Sequence, residues 1–129
     1  MSLVINKIES VPKTVKLCWP KPDTRVPESQ RQKPIVEGSV ECEFIYHSQK
    51  RLEDFDAQVE EGEITTIDRF RALVPVIKGL PIQPGEPQDA HEWLDQAQYG
   101  TVISNAIMQD YWLFLAEDRR GNSKKRRSR

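Results

Sequence analysis

The period of the hydrophobic pattern changes near Tyr46, and this change limits the folds open to the chain. Before it, in residues 13–19 and 36–46, apolar side chains occupy every second position, which predicts β-strands with one wet face. After it, apolar residues recur every three to four positions, which predicts helices. We therefore expect an α+β fold, with a small antiparallel sheet from the N-terminal half packed against three to four helices, the last one long.

The two alternating stretches are predicted to form paired strands. The first places Val15, Leu17 and Trp19 on the buried face and Lys16 on the wet face. The second has five inward positions: Val36, Val40, Cys42, Phe44 and Tyr46. If the strands pair, we expect Lys16 to face glutamates of the second strand, each such pair contributing roughly 0.2–1 kcal/mol. Residues 20–34 are rich in proline and predict an extended loop, and residues 2–8 predict a weaker third strand.

Two helices are predicted after the second strand. Ser48 is placed to cap the first, and Gly62 to end it. Its apolar stripe is Leu52, Phe55 and Val59. The second helix is expected to begin at Thr65 or Thr66 and to stop before Pro75. Its buried side would hold Ile67, Phe70, Leu73 and Val74. A turn-rich segment follows, and then a short helix with Trp93 and Leu94.

The last predicted helix begins at Thr101 or Ser104 and is expected to end before Gly121. Its apolar residues form two neighbouring stripes. One stripe is Ile103, Ile107, Tyr111 and Phe114, and the other is Met108, Trp112 and Leu115. A small sheet covers one stripe. Either other helices of the chain cover the second stripe, or it forms an interface with another polypeptide.

The charges of the chain are divided between an acidic body and a basic end. Residues 1–118 hold 12 basic and 20 acidic residues, a net charge of −8, whereas residues 119–129 hold 7 basic residues and no acidic one. We expect a single domain over residues 1–118 and a disordered basic tail over residues 119–129. The tail could maintain solubility, dock on an acidic protein surface such as a second copy, or bind nucleic acid. The acidic body disfavours nucleic acid.

The sequence contains no pattern typical of a catalytic or metal site. Cys18 and Cys42 lie far apart and have no histidine at metal-ligand spacing. His47 and His91 are not near a candidate nucleophile, and both are expected at the surface. The glycines do not form a phosphate-binding loop, and no apolar stretch reaches the roughly 20 residues that span a bilayer. We expect a protein that is not an enzyme, has no cofactor or metal, does not enter a membrane and resides in a reducing cytoplasm.

The order of the predicted elements carries a family resemblance over residues 13–122. It consists of the strand and helix "GSVECEFIYHSQKRLEDFDAQ", the helix "TTIDRFRALV", the joint "KGLPIQPGEPQD" and the helix "ISNAIMQDYWLFLAEDRRGN". This order resembles the small tail assembly chaperones of long-tailed, lambda-like bacteriophages. The matching positions in the last helix are Ala106, Ile107, Tyr111, Leu115 and Asn122. The joint departs from the family pattern because it has no Trp-Asp-Gly turn.

The resemblance implies a protein of the host cytoplasm that binds and solubilises the tape measure protein and helps to recruit tail tube subunits. It also implies a longer product made by ribosomal frameshifting near the end of the reading frame. The partner-binding residues would be Tyr111, Trp112, Phe114 and Leu115, with Arg126 and Arg127 as a second, charged anchor. The alternative is a small acidic inhibitor, or nucleic-acid mimic, that binds a host factor.

Overall fold

The computed structural model describes the backbone of residues 10–127 and the side chains of residues 10–117, and it has the expected α+β architecture. Three strands form a single sheet: β1 (Val11–Trp19), β2 (Val36–Phe44) and β3 (Val76–Lys78). Four α-helices complete the fold: α1 (Gln49–Glu60), α2 (Thr66–Leu73), α3 (Ala90–Gln96) and α4 (Gly100–Arg127). The loop from β1 to β2 contains a 3₁₀ turn at Glu28–Gln30. The strand predicted in residues 2–8 lies outside the described residues.

The sheet is antiparallel, in the order β1-β2-β3. Val15 pairs with Val40, and the same register places Lys16 opposite Ser39. The prediction that Lys16 lies directly opposite a glutamate is therefore wrong, because the register places a serine there. Glu37 and Glu41 flank Ser39 on the wet face, so they are only diagonal neighbours of Lys16.

One face of the sheet is buried against the helices. The buried strand residues are Val15, Leu17, Val40, Cys42, Phe44 and Ile77. Two predicted inward residues are instead half-exposed, Trp19 at 43% and Tyr46 at 48%. Trp19 is the last residue of β1, and Tyr46 follows the end of β2, so the helical layer does not cover either side chain.

Strand β3 is not indicated by the sequence pattern. It contains three residues, comes directly after Pro75, and pairs with Glu41–Glu43 of β2. Three residues are too few to show the alternation of apolar and polar side chains that identifies a strand. Helix α2 ends at Leu73, and the chain that follows it lies along the edge of β2, where β3 forms.

The helix starts follow the local sequence signals. The Ser48 hydroxyl accepts a hydrogen bond from the backbone N–H of Arg51 at 3.2 Å, as predicted for the start of α1. Thr65 and Asp68 form a reciprocal capping box at the start of α2, with bonds of 3.0 and 3.1 Å. Hydrogen bonding of the Asp68 carboxyl to the Thr65 backbone N–H, and then to the Thr65 side chain, lowers the pKa of Asp68. Gly62, at φ +79°, follows α1 where its end was predicted.

The end of α2 presents three successive carbonyl groups, at residues 72–74, to donors from other parts of the chain. The last carbonyls of any helix lack partners within the helix, and Pro75 has no N–H to offer. The backbone N–H of Ile45 donates to the Leu73 oxygen at 3.0 Å. Two histidine side chains bond to the carbonyl oxygens on either side of it.

The two histidines complete this junction. His47 Nε2 lies 3.0 Å from the Ala72 oxygen, and His91 Nε2 lies 2.7 Å from the Val74 oxygen. Because a carbonyl oxygen only accepts, Nε2 carries the proton in both rings. His91 is only 4% exposed, so its predicted surface location is wrong. The buried Val74 carbonyl explains the difference, since it needs a donor that α3 supplies.

Helix α4 is longer than predicted. Its backbone remains helical to Arg127, beyond the end expected before Gly121. Lysine and arginine are good helix formers and are favoured near a helix C-terminus, whereas a single interior glycine costs only about 1 kcal/mol. The boundary predicted after residue 118 therefore falls inside α4, and the side chains of residues 118–129 lie outside the described part.

We predict that His91→Leu lowers the free energy of unfolding by about 1–3 kcal/mol, because the buried Val74 carbonyl would lose its donor. Urea unfolding followed by circular dichroism measures the change. Gln96→Ala, at an exposed position of the same helix, is the control and should change the free energy by less than about 0.5 kcal/mol. Equal stability of His91→Leu and the parent chain would contradict this role.

Candidate functional site

The candidate site is the side of α4 that faces away from the sheet. The opposite side carries the buried stripe, spaced four residues apart: Ile103, Ile107, Tyr111 and Leu115. At about 100° per residue, Trp112 and Leu113 fall on the other side of the helix. They are 41% and 49% exposed, respectively. We call Trp112 and Leu113 the α4 outer face.

Tyr111 belongs to the core rather than to the surface. Its side chain is fully buried, and its hydroxyl donates a hydrogen bond to the Ile45 carbonyl oxygen at 2.7 Å. Its ring meets Phe44 edge-on, with centroids 5.5 Å apart. Burial is the main cause that raises its pKa to about 12. Tyr111, predicted as a partner-binding residue, is thus placed where it fixes the rotation of α4.

Leu115 and Phe114 occupy positions different from those predicted. Leu115 is 5% exposed and continues the buried stripe, which Phe114 was expected to do. Phe114 is half-buried, with its ring 5.6 Å from that of Phe44. The ammonium group of Lys13 lies 5.5 Å from the Phe114 ring centre. Of the four predicted apolar contacts on α4, only Trp112 presents a largely accessible surface.

Trp112 is held against α2 by an arginine. The guanidinium of Arg69 lies 5.9 Å from the centre of the Trp112 ring, within range of a cation–π contact. Arg69 Nε is also 2.9 Å from the Asp56 carboxylate of α1. The Arg69 N–H does not meet hydrogen-bond geometry there, so this contact is an ion pair only. The indole thus lies beside Arg69 of α2, which pairs with Asp56 of α1, and 41% of Trp112 remains exposed.

Leu113 was not predicted as a contact residue. It lies at the edge of the outer face nearest β1, where it lines a groove of about 170 Å³ together with Lys13 and Glu117. The signal that could identify it is its position on the helical wheel, opposite the stripe that begins at Ile103. The predicted charged anchor, Arg126 and Arg127, lies outside the residues whose side chains are described.

The groups most suited to chemistry have structural roles or are buried. His47 and His91 bond backbone carbonyls, and burial raises the pKa of the Cys42 thiol to about 12. Among the residues described, no three His, Cys, Asp or Glu side chains are grouped as ligands for a metal ion. Between residues 10 and 127, no helix has both the length and the apolar character required to cross a bilayer.

Comparisons with known proteins give no match, whether with protein-family models, curated proteins or solved structures.

We predict that Tyr111→Phe lowers the free energy of unfolding at pH 7 by about 1 kcal/mol, the net value of its hydrogen bond. The raised pKa of Tyr111 means that the unfolded state loses this proton first as the pH rises. The contribution of Tyr111 is thus fully present below about pH 10 and is lost between about pH 10 and 12.

Urea unfolding between pH 7 and 11 measures this effect. The stability of the parent chain should fall towards that of Tyr111→Phe above about pH 10. Tyr46→Phe, at a half-exposed position, is the matched control and should stay close to the parent chain at pH 7. A constant difference between the parent chain and Tyr111→Phe across the pH range would contradict the prediction.

Proposed function

We propose that this protein is a non-enzymatic phage tail assembly chaperone whose α4 outer face binds apolar helical segments of a tape measure protein. The observation that supports it is the exposure of two large apolar side chains, Trp112 at 41% and Leu113 at 49%, on a helix whose opposite stripe is fully engaged in the core. The client and its role in tail assembly come from the family resemblance.

The geometry of the outer face suits a helical client. Tryptophan is among the residues that contribute most to protein interfaces, and helices pack by inserting such side chains between ridges of the partner. Trp112 is positioned by Arg69, so little conformational entropy is lost when a partner covers it. Before assembly, a long helical protein exposes apolar faces that associate with one another, and a small protein that covers them prevents this association.

The charge of the domain is compatible with this role. Residues 10–117 contain 18 acidic and 11 basic residues, a net charge of −7. Several copies bound along one client would therefore repel other coated particles and remain dispersed. The proposal includes a location in the host cytoplasm, recruitment of tail tube subunits and a longer frameshifted form, all implied by the resemblance. Arg126 and Arg127 would supply a second anchor.

The acidic inhibitor remains a second candidate because α1 exposes four carboxylates on its outer side. They are Glu53, Asp54, Asp56 and Glu60. Binding through these groups would weaken steeply as the salt concentration rises, whereas binding through the α4 outer face would change little. The salt dependence of complex formation therefore distinguishes the two functions.

The direct test is co-expression with the tape measure protein encoded in the same phage genome. We predict that the parent chain increases the soluble fraction of this client, and that a Trp112→Ser/Leu113→Ser double variant does so much less. The soluble and insoluble fractions are compared by gel electrophoresis. A client that is equally soluble with and without the parent chain would contradict the proposal.

The matched control is Tyr46→Ser, which also removes a large exposed side chain, 48% accessible and outside the α4 outer face. It should support the client as well as the parent chain does. All variants are first compared by urea unfolding, and exposed positions are expected to change stability by no more than about 0.5 kcal/mol. If the control variant and the double variant lowered client solubility equally, the α4 outer face would not be the binding surface.

A further inference from the structure

Strand β2 has an edge that its neighbour covers only in part. It contains nine residues, all paired with β1 on one side, whereas β3 contains three residues and pairs only with Glu41–Glu43 on the other side. Residues 36–40 therefore have no strand beside them on the β3 side within the described part of the chain. We call this segment of edge the β2 notch.

The backbone groups that face the notch can be identified. Successive residues of a strand direct their N–H and C=O groups to opposite sides. The Ser39 oxygen points to the β3 side, because a Cβ placed on Gly79 would stand 3.6 Å from it. Glu37, two residues earlier, has the same direction. Among the described residues, no backbone hydrogen bond joins residues 37–39 to residues 79–82.

The chain after β3 lines an adjoining groove with residues 79–81 but does not continue the hydrogen-bonded ladder along this edge. Gly79 has φ +96°, a backbone conformation that residues other than glycine rarely adopt. Pro81 has no N–H to donate to β2. The next backbone bond is local, from the Ile82 N–H to the Leu80 oxygen at 2.9 Å. Within the described part of the chain, no backbone group therefore pairs with the Glu37 and Ser39 groups on this side, and an added strand can reach them.

An apolar groove of about 520 Å³ adjoins the notch. Its walls include Val40 from β2, Trp93 from α3, Tyr99 just before α4, and Ile103 from the first turn of α4. Gly38 adds no side chain, and a Cβ built there would meet nothing within 4 Å. A strand placed along the notch would direct alternate side chains inward, into the space that position 38 leaves empty.

The charged groups of the groove have one sign. Glu37 and Glu86 line it, and no lysine, arginine or histidine does so among the described residues. The Glu86 carboxylate accepts hydrogen bonds from the Gln83 backbone N–H at 2.8 Å and from the Trp93 indole at 3.1 Å. Both bonds lower its pKa, so it stays ionised at neutral pH. A partner with basic side chains is thus favoured over an acidic one.

We propose that the β2 notch binds an extended segment of a partner protein as an added strand. The segment would bond to the backbone of Glu37 and Ser39, place aliphatic side chains in the groove, and present lysine or arginine between them. This mode of recognition takes its affinity from main-chain bonds and its specificity from alternate side chains. The groove beside the notch contacts α4 at Ile103 and includes neither residue of the α4 outer face, and the inference does not depend on the proposed function.

The test uses three labelled peptides and the unmodified chain. The first alternates valine and lysine, the second alternates valine and glutamate, and the third is the valine–lysine peptide N-methylated on alternate residues. Fluorescence anisotropy should show binding of the first, with the other two weaker by about tenfold or more, since each loses a charge match or main-chain bonds. Amide exchange measured by NMR should become slower at Glu37 and Ser39 when the first peptide binds.

Substitutions in the protein, rather than in the peptide, test the same contacts. Ser39→Pro removes an N–H that faces the notch and spares the bonds to β1, so it should weaken binding about tenfold. Glu37→Lys, at an exposed position, should do likewise and keeps the test valid if Ser39→Pro fails to fold. Glu53→Lys on α1 is the charge control and should bind as the parent chain does. The proposal would be overturned if the valine–lysine peptide did not bind, or if N-methylation left its binding unchanged. Equal binding of the valine–glutamate peptide, or slower exchange at other amides instead of Glu37 and Ser39, would also overturn it.

Discussion

The hydrogen bonds at the C-terminal end of α2 hold the two layers of this fold together. Three successive carbonyls accept donors from two separate segments: Ile45 and His47, which follow β2, and His91 in the first turn of α3. Ile45 is also the acceptor of the Tyr111 hydroxyl of α4. The sheet, α2, α3 and α4 therefore meet in one polar network inside an apolar core. In such surroundings each unmade bond would cost more than an ordinary hydrogen bond contributes.

This network decides which surface α4 exposes. The Tyr111 hydroxyl can reach Ile45 only if the stripe from Ile103 to Leu115 faces the sheet, and this orientation turns Trp112 and Leu113 outward. In this orientation the Arg69 guanidinium lies 5.9 Å from the centre of the Trp112 ring. A contact surface built on a rigid helix and supported by neighbouring helices is already arranged for binding, which lowers the entropy lost when a partner docks.

The two proposed contact surfaces differ in the backbone structure that they fit. The α4 outer face offers apolar side chains on a convex helix and suits another helix. The β2 notch offers main-chain donors and acceptors beside an apolar groove and suits an extended segment. The groove beside the notch contacts α4 at Ile103, and Trp112 lies nine residues further along the helix, so one partner segment could occupy each surface without displacing the other. A protein that must hold a helical client and also meet a second protein would use such a separation.

The sequence by itself determined the features that depend on a few neighbouring residues. The alternation in β1 and β2, the Ser48 cap, the Thr65–Asp68 box and the stop at Gly62 are all local, and the structure agrees with them. Together with the long last helix, they were sufficient to predict the α+β class. The contact role of Trp112 stays a prediction, although its exposure allows it.

Only the tertiary structure decided the features that depend on distant partners. His91 is buried because the Val74 carbonyl needs a donor, and β3 exists because α2 ends beside an open edge of β2. Leu115, not Phe114, completes the buried stripe because Tyr111 sets the rotation of α4. The β2 notch is open because β3 ends at Lys78 after only three residues, next to Gly79 with φ +96°. Hydrophobic period and capping act over a turn of helix or a pair of residues, whereas the pairing of a buried polar group is settled by whichever segment the completed fold brings to it.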